Sequence, residues 1–309
     1  MKKIQSSTVD QLADIESTAE VKARTLWEEA WRRFRKNKIA LIGLCFLALL
    51  LIVSVGTMVI DLVTDNAFYD THVTKMDLVA KLKPPHAQHI FGQDEFGRDI
   101  LMRIIWGTRY SMFLGMATVA VSTIVGGILG ALAGFYEKFD NIIMRVMDVL
   151  LAIPSMLLAI CLVAALGPGL FNIVLATAIS YVPSFARIAR ASVMSIKEME
   201  YIEAARSYGA NDGRIIFRYI LPNSMSPLIV QFTLNMAGAI LMIAGLSFMG
   251  LGIQPPTPEW GAMLANARTY IRDAWHITLF PGAAILLTVL SLNLVGDGMR
   301  DALDPKLKD

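Results

Sequence analysis

The sequence predicts an all-α membrane protein of six transmembrane helices, with one long polar hairpin between the fourth and the fifth. Three observations carry this reading. Of 309 residues 55% are hydrophobic and 17% charged, and the mean hydropathy of +0.54 is too apolar for a soluble domain of this length. Apolar runs fall at residues 39–60, 111–135, 142–166, 170–183, 228–251 and 277–295. All but the fourth approach the ~20 residues that cross about 30 Å of hydrocarbon. Between the fourth and fifth runs, the stretch from Glu203 to Pro222 is conspicuously polar.

Residues 1–38 form a polar amino-terminal arm. Near its end Leu26, Ala30 and Phe34 recur every fourth residue, as do Trp27 and Trp31, which predicts a basic amphipathic helix lying at a membrane surface. Nine Lys and Arg in this arm argue that it stays in the cytoplasm. The run at 39–60 is then a first span; it is too long, and its charged leader too extended, for a cleaved signal peptide. Residues 61–110 become an external segment. The fourth run reaches spanning length by continuing into the helix that carries Arg187 and Arg190. Residues 111–300 thus form a five-helix core containing the hairpin at 184–227, and residues 301–309 a cytoplasmic tail. In this orientation 20 of the 28 Lys and Arg lie inside and 8 outside, the bias that sets topology. Trp260 and Trp275 are expected at the outer boundary, and Cys45 and Cys161 as small core hydrophobes.

Span two carries Gly126, Gly130 and Gly134, a spacing that lets a neighbouring helix approach closely. Span five carries the small residues Gly238, Ala239, Ala244 and Gly245, with Gln231 and Asn235 as polar exceptions one turn apart. These two either line a translocation path or bond across helices.

In the hairpin a helical pattern runs into Gly209, and Asn211 and Asp212 offer caps for a second short helix ending at Pro222. Ala189, Val193, Ile196, Met199 and Ile202 share one face suited to resting on the bundle, leaving Arg187, Arg190, Lys197, Glu198 and Glu203 toward water. Tyr208, flanked by Ala204, Ala205 and Ala210, is placed to plug a groove on another subunit. A merely solvated hairpin is the plainer alternative.

The residues an enzyme needs are missing from the sequence. It contains no phosphate-binding Gly-x-x-x-x-Gly-Lys-Ser/Thr loop, no His-Glu-x-x-His zinc motif and no Gly-x-Ser-x-Gly elbow. His86, His89, Asp94 and Asp99 lack fixed spacing and read as an exposed loop in preference to a metal site. The spans hold almost no ionisable residues: the exception, Asp148, one turn from Arg145 near the cytoplasmic end of span three, suggests an i, i+3 ion pair or an interfacial anchor. With neither a proton relay nor a charged filter visible, energy has to enter through the hairpin from a partner.

At the hairpin the chain resembles the membrane subunits of bacterial ABC importers, whose signature is Glu-Ala-Ala, three residues, Gly, nine residues, then Ile-x-Leu-Pro. Glu203, Ala204, Ala205, Gly209, Leu221 and Pro222 match in register, and Tyr219 replaces the Ile. Phe91-Gly-Gln-Asp-Glu-Phe-Gly-Arg-Asp-Ile, Leu246-Ser-Phe-Met-Gly-Leu-Gly, Glu259-Trp-Gly-Ala-Met-Leu and the segment from Gly296 to Lys306 narrow the resemblance to the second permease of the dipeptide, oligopeptide and nickel uptake group. That resemblance implies a type I importer-like bundle in the bacterial cytoplasmic membrane, with both termini inside. It implies a coupling helix docking on an ATPase through Glu203, Ala204, Ala205, Arg206, Ser207, Tyr208, Gly209, Ala210 and Asn211. The implied partners are a homologous permease, two ATPase subunits that bind ATP and Mg, and an external substrate-binding protein. No cofactor on this chain and no nucleic-acid partner are expected. The cargo reads as peptide, with nickel or another small solute as the alternative. A non-transport scaffold and an intramembrane enzyme are the other classes; the first would show no ATPase-dependent uptake and the second would turn over alone.

Overall fold

The computed structural model describes residues 26–303, with the backbone alone at Leu26 and Trp27. The parts of the predicted arm before residue 26 and of the tail after residue 303 lie outside the described residues. Helix α1 spans Leu26–Lys36 and α2 Lys38–Val63; Asn37 between them caps α2 by accepting from the Ala40 N–H at 3.1 Å. After a connecting segment come α3 (Ile100–Phe135), α4 (Glu137–Ala152), α5 (Ser155–Leu166) and α6 (Leu170–Lys197). Then follow the short α7 (Glu200–Ser207), the continuous α8 (Asp212–Phe248), the short α9 (Trp260–Ala267) and α10 (His276–Leu303).

Five of these helices, α2, α3, α6, α8 and α10, are long and apolar enough to span alone, and α4 with α5 makes a sixth span bent by 92°. The bend falls at Pro154, and the extended backbone of Ile153 before it is what a following proline imposes. The expected single run at 142–166 is therefore a broken span. The fourth span is one helix carried through to Lys197, so the hairpin proper is shorter than 184–227.

The glycine stripe of α3 is the principal seam of the bundle. A Cβ at Gly126 would lie 2.6 Å from the Val182 carbonyl oxygen, at Gly134 2.8 Å from that of Arg190, and at Gly130 onto the Ala186 carbonyl. Small residues thus bring the backbones of α3 and α6 together, in parallel. Helices α2 and α10 pack antiparallel, Gly43 against Ser291 and Gly298 against Ala40. These directions collect α1, the ends of α3, α6 and α10, and the hairpin at one end of the bundle. Ala30 and Phe34 of α1 are buried there against Ala40, Val295 and Ala302.

Several side chains depart from their sequence expectation. Trp260 is not interfacial: it is 1% exposed, and its indole N–H donates to the Ile104 carbonyl at 3.1 Å, whereas Trp275 is exposed. Cys45 and Cys161 face outward from α2 and α5, because lipid accepts apolar side chains as readily as the core does. Asp148 pairs with Arg187 at 2.7 Å and not with Arg145. The spanning helices are also less free of charge than expected, since they run on to include Asp61, Arg103 and Arg109. Asp61 accepts from Arg109 and from the Trp106 indole N–H.

The motif from Phe91 to Ile100, at the end of the bundle opposite the hairpin, is a largely buried polar knot, not an exposed loop. Asp94 takes N–H bonds from Phe96 and Arg98 and an ion pair from the Arg98 guanidinium at 2.6 Å. Arg103 reaches across to the Pro256 carbonyl at 3.1 Å, and Phe91 stacks on Phe280. His89 pairs with Asp99 and meets the His86 ring edge-on at 5.2 Å, while Asp94 is held by Arg98, and among the described residues no three such side chains are grouped to hold a metal ion.

Glu259 locks α9 into this end of the bundle. Its carboxylate accepts the N–H groups of Gly261 and Ala262, each at 2.8 Å, at the helix N-terminus. Burial pushes its carboxyl above the ordinary 4.5 despite those bonds. The native state then holds this proton more tightly than the unfolded chain. The associated stability is therefore present at low pH and is lost as pH rises from 4.5 through the raised value. Glu259→Gln, with no proton to release and an amide facing one of the N–H donors, is expected to cost about 1–2 kcal/mol near neutrality. It should also flatten the pH dependence of the thermal midpoint above pH 4.5, measured on detergent-purified protein.

Candidate functional site

The polar hairpin is built on a core of its own. Ile202 of α7 and Ile215 and Ile220 at the start of α8 are buried with Phe135, Val193 and Ile196, so one small cluster joins the ends of α3 and α6 to the root of α8. The Lys197 ammonium donates to the Phe135 carbonyl at 3.0 Å, and the Arg206 guanidinium lies 5.6 Å over the Phe135 ring. Force applied to α7 therefore reaches three spanning helices through packed side chains.

The turn after α7 needs Gly209. Its φ of +81° is the left-handed conformation that ends many helices. The Gly209 N–H donates to the Arg206 carbonyl at 2.9 Å and the Ala210 N–H to that of Ala205 at 3.0 Å, the paired bonds of a Schellman cap. Asn211 then caps the next helix by accepting from the Arg214 N–H at 2.9 Å. The second helix does not stop at Pro222. Proline there lacks an N–H and crowds the carbonyl four residues back; the chain widens into a π-helical turn over Ile216–Ile220 and runs on as α8.

Glu203, Ala204, Arg206, Ser207, Tyr208, Gly209 and Asn211 are all exposed, while Ala205 and Ala210 are half-buried. Tyr208 is 92% exposed, an aromatic held out from a rigid cap with nothing of its own chain to cover it. Phe217, 72% exposed in the π-helical turn, is a second such aromatic that the sequence reading missed; its position in a run of apolar residues hid it. Of the face expected against the bundle, Ala189, Val193, Ile196 and Ile202 are buried and Met199 is exposed. Of the residues expected in water, Arg190 forms a bidentate pair with Asp140, and Arg187 holds Asp148. These bonds fasten the bent span to α6.

The two polar residues of α8 are treated differently by the fold. The Gln231 amide donates to Ser184 at 3.1 Å across to α6 and also lines a cavity of about 740 Å³ at the hairpin end. The Asn235 amide nitrogen is buried without a hydrogen-bond partner among the described residues.

A bundle with a broken third span, both described ends on one side and a rigid, exposed, aromatic-tipped hairpin defines a polytopic membrane protein of the transporter-subunit class. Residues 122–309 match the family described as the binding-protein-dependent transport system inner membrane component, and residues 25–85 match the N-terminal transmembrane domain of oligopeptide transport permease C. The chain belongs to this permease family. It is 46% identical to the dipeptide transport system permease protein DppC of Alkalihalophilus pseudofirmus, over 91% of this chain and 90% of that one. It is 45% identical to the glutathione transport system permease protein GsiD of Pectobacterium atrosepticum, over 96% and 97%. The fold is that of type I importer permeases. A chain of the MetNI methionine ABC transporter in an inward-facing conformation superposes with a TM-score of 0.56 at 16% identity, over 66% of this chain and 98% of that one.

Proposed function

We propose that this chain is a membrane-spanning subunit of an ATP-driven peptide importer in the bacterial cytoplasmic membrane, with both termini and the hairpin inside. The observation that carries this is the capped, exposed hairpin helix seated on a core shared by three spanning helices. Relatives named for dipeptide and glutathione transport favour peptide cargo over nickel. The chain works with a homologous permease, two ATPase subunits and an external binding protein, and ATP and Mg are bound by the ATPase subunits. Closure of the ATPase dimer draws the coupling hairpins together and rocks the spans between outward- and inward-open states. Gln231 and Asn235 supply polar contacts along the path.

Docking is assigned to residues 203–211, with Tyr208 as the anchor. Tyr208→Ala removes an exposed side chain, so folding and membrane level should be unchanged. Loss of a central aromatic anchor costs about 2 kcal/mol or more of docking, and peptide uptake by cells carrying the full system should fall on the order of thirtyfold. Unchanged uptake would remove Tyr208 from the interface.

A further inference from the structure

Helices α4 and α6 face each other across a polar cleft of about 480 Å³, and the charged side chains that line it are unequally engaged. Arg190 holds Asp140 by two bonds, from Nε and Nη2 to the two carboxylate oxygens. Arg187 holds Asp148 by one, from Nη2 to Oδ1, and both of these side chains are more than half exposed. Arg145 lines the same cleft one turn before Asp148, is exposed, and has no partner of its own among the described residues.

The two pairs differ in strength. A bidentate guanidinium–carboxylate pair is fixed in geometry and strong, whereas an exposed pair with a single bond is weak. Movement of α4 against α6 therefore parts Asp148 from Arg187 first and pivots on Asp140 and Arg190. The fold permits that movement. The break at Pro154, with its 92° bend, separates α4 from α5. Helix α6 is locked to α3 by the glycine seam, and its Val193 and Ile196 belong to the hairpin's core, so α6 follows the hairpin. Between the two helices the apolar contact is small, Met147 against Val182 and Ala186. A carboxylate released from Arg187 then has Arg145 within reach on its own helix, at the spacing that lets side chains meet.

We propose that Asp148 exchanges partners during the transport cycle, held by Arg187 across to α6 in the conformation seen here and by Arg145 within α4 in the other. Arg145 is then a positioning residue that keeps the carboxylate paired in both states. The exchange rests on the alternating-access reading above.

Charge reversal separates an exchange from a fixed clasp. Asp148→Arg with Arg187→Asp restores a pair across the helices but sets two guanidiniums one turn apart on α4. A fixed clasp predicts full uptake of labelled dipeptide by the intact transporter; exchange predicts a fall of about fivefold, the worth of one exposed pair. Adding Arg145→Asp should recover most of that uptake. Arg145→Gln alone leaves the clasp intact and should lower uptake about as far, at unchanged membrane level. Normal uptake in the double reversal, or no recovery in the triple, would overturn the proposal. Pulsed electron resonance reads the movement directly, with spin labels on Val146→Cys and Met194→Cys, both exposed positions, and with Cys45 and Cys161 replaced by Ser. Two distances are expected, their ratio differing between the nucleotide-free and the vanadate-trapped complex. Arg145→Gln should shift that ratio about fivefold toward the nucleotide state in which Asp148 holds Arg187. One distance under both conditions would overturn the exchange. These distances are read without cargo, so a complex that moves but takes up no peptide would fail the transport reading alone.

Discussion

Gly209→Pro is expected to leave the protein in the membrane at normal level and to abolish both peptide uptake and transport-coupled ATP hydrolysis. The native φ of +81° cannot be reached by a residue locked near −65°. The substitution also deletes the N–H that donates to the Arg206 carbonyl. Together these cost about 3 kcal/mol or more, which lowers the population of the docking conformation on the order of a hundredfold. The fold itself is spared, because no atom beyond the two chain neighbours lies within 4 Å of a Cβ placed at this position and the buried cluster of Ile202, Ile215 and Ile220 is left in place. Gly209→Ala meets only the left-handed penalty, about 1–2 kcal/mol, and should retain partial uptake. Immunoblots of membrane fractions set beside uptake of a labelled dipeptide separate loss of coupling from loss of protein.

The second large effect is on assembly of the bundle. Gly130→Leu is expected to remove most folded protein from the membrane. Its Cβ would fall on the Ala186 carbonyl and 2.7 Å from the Ala189 Cβ. Both neighbours are rigid, so α3 and α6 have to part along their whole seam. Overpacking against backbone costs about 3 kcal/mol, and the displaced seam exposes the Thr118 to Thr177 and Ser122 to Ala178 bonds beside it. The neighbouring Gly127 is the internal control, since its nearest outside atom is 4.0 Å away. Gly127→Ala should be tolerated or stabilising by up to about 1 kcal/mol. Steady-state level and protease resistance in membranes read both variants.

The same seam shows why much of the fold was legible in the sequence. A glycine every fourth residue lets two apolar helices approach closely, and the signature beginning at Glu203 sets the end of one helix through Gly209 and the start of the next through Asn211, while Pro222 ends neither. What was not legible depended on partners distant in sequence. Arg145 is the obvious mate for Asp148 by spacing, yet Arg187 reaches it from 39 residues away. Trp260 carries the composition of an interfacial anchor, and only the close approach of Gly107 and Gly261 to their neighbours makes room to bury it. Asp61 and Arg109 were assigned to the external segment because hydropathy stops short of them, whereas the helices do not. Phe217 was hidden for the opposite reason: an aromatic among apolar neighbours reads as core until a π-helical turn rotates it outward.

The central claim is that residues 203–211 dock on an ATPase subunit in the cytoplasm. Its most direct test is site-specific cross-linking in the assembled transporter, with Cys45 and Cys161 replaced by Ser and a single cysteine introduced by Ser207→Cys, beside the Tyr208 anchor and itself exposed. The account predicts a covalent adduct with the ATPase subunit, formed in inside-out vesicles and protected from membrane-impermeant maleimide on intact cells. Labelling of that cysteine from outside, or an assembled and active transporter in which it never reaches the ATPase subunit, would contradict it.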